Sequence, residues 1–183
     1  MIQPTVLGRR VPLNDWEGDD STPGAGGDYV TCMDSACGRM VAFATNGRTT
    51  RDGKVYRAVI HPHDPNGINF SQAAQAVHTV AALPLIYSSD WTKARVLAWL
   101  RAGRGLVVTG VYEKIPRAYR HQWAGGFGHA CFATNINGTG KMRWYDPLNP
   151  DTHAYGRIVP VSILWPFLES RGYTAGYVPL QPL

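Results

Sequence analysis

Two apolar runs, 130–134 and 142–145, flank an Asn137-Gly138 pair, and no other feature constrains this chain as much. Asn-Gly between short runs rich in aromatic and apolar residues is a hairpin signal. A hairpin makes the runs antiparallel and brings their outer ends together. Those ends carry His129 and Asp146. The pattern therefore predicts a carboxylate within reach of an imidazole, where it would fix the ring's tautomer and stabilise the imidazolium. Asn149 is a second candidate for the same role.

The chain ahead of the hairpin is patterned differently. Over 32–45, Ala36, Cys37, Met40, Val41 and Ala44 recur at helical spacing, and Asn46-Gly47 supplies a stop. A second helix is predicted over 71–82, through Ala74, Val77 and Ala81, with Asn69 or Ser71 as its cap. Asp90 is the expected cap of a third helix over 91–102, ended by Gly103. Strands then take over at 106–112 and in the hairpin. A short helix follows near 161–169, with Pro166 as a kink or first-turn residue, and a last strand spans 173–178. Helices first and an antiparallel sheet afterwards make an α+β domain. The length of 183 residues fits one such domain. Residues 1–28 stand apart: acidic at Asp19-Asp20, then Gly-rich at Gly24-Ala25-Gly26-Gly27. They read as an extended arm, with the folded domain over 29–183.

The 3 cysteines leave at least one free thiol, and none belongs to a CxxC pair. A nucleophilic cysteine needs a lowered thiol pKa, and the start of a helix favours the thiolate. Cys32 occupies such a start. Cys37 falls in the apolar stripe and reads as a small core residue. Cys131 is two residues beyond His129 and shares its face of the strand. Cys32 is therefore the expected nucleophile, with Asp34 a nearby charge that opposes its ionisation. The segment 113–123 carries Arg117, Tyr119, Arg120, His121 and Trp123 and is either a substrate lid or a surface loop. Gly128, Trp123 and Tyr112 are the expected substrate contacts. His61-Pro62-His63-Asp64 has metal-ligand chemistry but no third helix-borne ligand, so neither a metal nor a cofactor is expected.

These residues resemble the peptidase family that processes double-glycine bacteriocin leaders. The likeness rests on Cys32 opening a helix, then "LRAGRGLVVTGVY", then "GGFGHACFATNINGTGKMRWYDPLN", and covers roughly 29–150. It implies a papain-like fold, N-terminal helices packed on an antiparallel sheet. It also implies thiol hydrolysis of a peptide or isopeptide bond by Cys32, His129 and Asp146. The Gly-rich arm resembles phage-type members of the group. The chain departs from the family at Thr31 and Met33-Asp34, which flank the cysteine. It also has no Gln between Trp16 and Cys32, where the family carries an oxyanion donor.

Two functions follow. One is a cysteine hydrolase acting on cell-wall peptide or another peptide substrate. The other is a catalytically weak papain-like structural or binding component of a phage tail, meeting other virion proteins through the arm. Either implies the phage virion or the host cytoplasm. The net charge is +5, but no Lys/Arg run is long enough for a nucleic-acid patch. No apolar stretch could span a bilayer, and the N-terminus does not read as a secretory signal.

Overall fold

A computed structural model describes residues 32–50, 52–60, 68–121, 126–134, 136–149, 156–170 and 174–182. The predicted arm and the His61-Pro62-His63-Asp64 motif lie outside the described residues, as does Trp123. The helices are α1 (Cys32–Ala44), α2 (Gly53–Ile60), α3 (Phe70–Ala81), α4 (Lys93–Arg101) and α5 (Leu164–Glu169). The strands are β1 (Ile86–Ser88), β2 (Leu106–Val111), β3 (Gly128–Thr134), β4 (Lys141–Tyr145), β5 (Arg157–Pro160) and β6 (Ala175–Tyr177). Among the described residues no helix is long and apolar enough to cross a membrane.

The strands form one sheet in the order β1-β6-β2-β3-β4-β5, every neighbouring pair antiparallel. Side chains alternate across it. Val107, Ala130, Phe132 and Tyr145 face a core built with α1, α2 and α3. Val108, Cys131, Ala133, Met142 and Trp144 face a second core built with α4 and α5. This is the expected α+β architecture, with helices on both faces of the sheet.

α1 is buried along its whole length, because it lies between the sheet and the other two helices of its layer. It ends as predicted: Asn46 and Gly47 take positive φ, and Gly47 N–H donates to the Ala42 carbonyl at 2.7 Å. α3 starts one residue before its predicted limit. Asn69 caps it, accepting from Gln72 N–H at 3.0 Å while its own N–H donates to the Gln72 side chain at 2.8 Å. The cap of α4 is Thr92 and not Asp90, since the Thr92 hydroxyl accepts from Arg95 N–H at 3.1 Å. Pro166 falls in the first turn of α5, where its missing N–H costs nothing. α2, β1 and β5 have no counterpart in the sequence-based assignment.

Candidate active site

The hairpin forms as its sequence indicates, with Phe132 opposite Tyr145 and Thr134 opposite Arg143. The turn is wider than two residues. The Asn137 side chain accepts from Thr139 N–H, the Thr139 hydroxyl and Lys141 N–H, and Gly140 takes positive φ. Extending the register by one residue sets Asp146 across from Cys131 and diagonal to His129.

The local sequence then aims the carboxylate. Asp146-Pro147-Leu148-Asn149 is a tight turn: Leu148 N–H donates to Asp146 Oδ1 at 2.9 Å, and Asn149 N–H to the Asp146 carbonyl at 2.9 Å. The same Oδ1 accepts from His129 Nε2 at 2.7 Å, and both side chains are almost wholly buried. Asp146, not Asn149, therefore meets the imidazole. The Asn149 amide donates to the Tyr119 carbonyl at 3.4 Å.

Tyr112 completes the arrangement in a role its sequence position did not suggest. It is fully buried. Its hydroxyl donates to Asp146 Oδ2 at 3.2 Å and accepts from His121 N–H at 2.9 Å. Its ring meets the His129 ring edge-on, with centroids 4.8 Å apart. Burial, then the Asp146 charge, raises the phenol pKa, so Tyr112 remains a donor across the accessible pH range. Gly128 is exposed at the head of β3, beside His129, in a position open to a ligand.

β2 pairs Gly110 with His129. A Cβ at Gly110 would lie 2.0 Å from the Phe167 carbonyl oxygen, so the backbone of α5 rests directly on this part of the sheet.

The three cysteines are placed differently. Cys131 is fully buried and belongs with the His129–Asp146 pair: one ligand atom from each of the three lies within 4.8 Å of the others. That set has zinc-like donor chemistry. The tight imidazole–carboxylate bond already engages two of its members. Cys37 is enclosed within α1's apolar surroundings. Burial, then the charges of Asp34 and Cys32, raises its thiol pKa well above the ordinary value. Cys32 is the first residue of α1, 8% exposed, and shares a core with Ala130 of β3.

Phe43, near the helix C-terminus, packs on Phe132 with ring centroids 5.8 Å apart. Cys32 packs with the α1-side core, whereas the His129 ring lies against Tyr112 and Phe127 of the other core.

The burial of Asp34, two residues beyond Cys32, was not expected. Asp34 is 1% exposed, and among the described residues neither carboxylate oxygen has a hydrogen-bond partner. Burial raises its pKa to about 7 against the opposing pull of Arg57. A charge near the cysteine was legible in the sequence; its burial was not, because it follows from α2. A Cβ on Gly53 would lie 2.8 Å from Ser35 N, so α2 begins in contact with the first turn of α1.

No protein-family model matches the chain, and no curated protein does. Among solved structures, one provisionally named a C39-like peptidase from Bacillus anthracis matches with a TM-score of 0.57 at 13% identity. The match covers 84% of this chain and 90% of that one. The chain therefore has a C39-like, papain-type peptidase fold, the fold that the sequence motifs implied.

Proposed function

We propose that the chain is a cysteine hydrolase, with Cys32 as nucleophile, His129 as base and Asp146 as the group that orients the base. The buried 2.7 Å bond between His129 Nε2 and Asp146 carries this reading. Such a bond would fix the tautomer and leave Nδ1 as the ring nitrogen that takes the Cys32 proton. In that chemistry the imidazole takes the thiol proton and the thiolate attacks the scissile carbonyl. The tetrahedral intermediate collapses to a thioester as the amine leaves with the imidazole's proton. Water, activated by the same ring, then releases the acid. The Cys32 backbone N–H would supply one oxyanion donor. A peptide or isopeptide bond is the substrate class. For a phage-type member, cell-wall peptide or a virion protein would be the natural target.

A second reading is a papain-like binding or structural module, for example in a phage tail. It is favoured by the packing of Cys32 in the α1-side core, where it is 8% exposed. Alkylation by iodoacetamide separates the two. At pH 6 an ordinary thiol with pKa of about 8.5 is almost entirely protonated. The hydrolase should label at Cys32 well ahead of Cys37 and Cys131, as read by mass spectrometry, and His129→Ala should remove the preference. Asp146→Asn should slow labelling and hydrolysis by about 10²–10⁴-fold, and Asn149→Ala by much less. A Cys32 profile centred near pH 8.5 and indifferent to His129→Ala would establish the binding-module reading. Preferential labelling of Cys131 would reassign the nucleophile.

A further inference from the structure

We propose that Tyr112 is a positioning residue that couples the 113–121 segment to the His129–Asp146 pair. The proposal rests on the hydrolase reading for its catalytic meaning, though not for its geometry. Tyr112 holds that segment at both ends. Its backbone N–H donates to the Phe127 carbonyl at 3.0 Å, and its ring stacks on Phe127 with centroids 5.3 Å apart. Its hydroxyl accepts from His121 N–H at 2.9 Å. The same hydroxyl gives its only proton to Asp146 Oδ2. One oxygen thus joins the end of the segment to the carboxylate that holds the imidazole.

The segment itself is braced from outside the site. Arg157 donates to the Ala118 carbonyl at 2.8 Å and lies over the Tyr119 ring, and Asn149 donates to the Tyr119 carbonyl. Its two short helical turns, 112–114 and 117–119, give it a defined shape. A ligand that shifts this segment must strain or release the His121-to-Tyr112 bond. Asp146 then gains or loses a hydrogen-bond donor, and its hold on His129 changes. The shielded phenol, which stays protonated, keeps the link intact at any pH where the enzyme would work.

The decisive measurement is the rate at which the His129 Nε2 proton exchanges with solvent, followed by NMR on protein with nitrogen-labelled histidine. Tyr112→Phe keeps the ring and removes the hydroxyl. The freed carboxylate should release that proton about tenfold faster, the scale set by losing one charge-assisted hydrogen bond. Tyr56→Phe is the control. It deletes another buried tyrosine hydroxyl, bonded to the Thr50 carbonyl at 2.9 Å on the α1 side, and should leave the rate unchanged. The loop side is tested by His121→Pro against His121→Ala. Only the proline removes the N–H, and the extended backbone at Arg120 accepts a proline after it. Faster exchange in His121→Pro than in His121→Ala supports the coupling, even if Tyr112→Phe does not fold. Equal rates in that pair, or an unchanged rate in folded Tyr112→Phe, overturn it. Iodoacetamide labelling is independent of this readout. Coupled exchange with an unreactive Cys32 would sink the hydrolase reading and leave the coupling standing.

Discussion

Two buried carboxyls, Asp146 on the α5 face of the sheet and Asp34 on the α1 face, are held in opposite ways. On the α5 face, His129, Asp146 and Tyr112 satisfy one another in a closed chain of hydrogen bonds at 2.7 and 3.2 Å, with backbone N–H groups of Leu148 and His121 completing it. On the α1 face, Asp34 is equally buried and, among the described residues, its carboxylate oxygens have no hydrogen-bond partner. The first arrangement is preorganised: its geometry is fixed before any ligand arrives. The second holds a carboxyl whose ionisation costs stability. Each face also presses a helix against a glycine, α2 beginning at Gly53 against α1 and α5 against Gly110. The lesson is that the helix bearing the candidate nucleophile is stressed at its start, while the base and its carboxylate rest on a satisfied floor.

The glycine contacts give the largest expected effect. Gly110→Ala would drive a methyl to 2.0 Å from a backbone oxygen of α5, which neither side can yield without moving main chain. The expected loss is about 3 kcal/mol or more in a urea titration, at the upper end of overpacking costs. Gly53→Ala meets its nearest atom at 2.8 Å and should cost less. If Gly53→Ala proved the costlier, the α1 start would be the rigid region and the α5 floor the compliant one.

The unpartnered carboxyl gives the next. Asp34 holds its proton in the folded chain up to a pH of about 7, whereas an unfolded aspartate releases it near pH 4. The folded state therefore binds more protons between those values, and stability falls as pH rises through that window. Asp34→Asn should match the parent at pH 4 and exceed it by about 2–4 kcal/mol at pH 8. The measurement is the urea midpoint of both proteins at each pH. Parallel profiles would mean that Asp34 finds a counter-charge when ionised, and the contrast between the two faces would disappear.

Much of the α5-face site was legible because it is local. The hairpin signal, the Asp146-Pro147 turn and period-two alternation bring His129, Cys131 and Asp146 together with no knowledge of the rest of the chain. The α1 stripe was legible for the same reason. What the sequence withheld depends on distant contacts. β6 enters the sheet between β1 and β2 from the far end of the chain, and no local pattern encodes that order. β1 and β5 are too short to show a period, and β5 ends in Pro160. Tyr112 closes an apolar run and could have faced either way; only the sheet shows that its hydroxyl ends on Asp146. Asp34 reads as an ordinary solvated acid in a first helical turn, and its burial is set by α2, an element the periodicity missed. Gly53, next to Asp52, was the available sign of a close approach.

The smallest expected effect compares the two enclosed cysteines, one on each face. Cys37 sits among apolar neighbours inside α1, and a serine there buries a hydroxyl. The helix offers partial relief, since a serine hydroxyl can turn back to the carbonyl four residues earlier. The expected loss is about 1–2 kcal/mol. Cys131 is just as buried, but its sulfur has the His129 and Asp146 polar atoms within 4.8 Å. A serine there has partners of the right chemistry, so Cys131→Ser should cost under about 1 kcal/mol. Both variants are read by urea titration at pH 4, where the contribution of Asp34 ionisation is small. A larger loss at Cys131 than at Cys37 would show that the sulfur serves the α5 face by filling space rather than by tolerating polarity. The floor beneath His129 would then be an apolar one, and the hydrogen-bonded chain from His121 to the imidazole would end at Asp146 with Cys131 outside it.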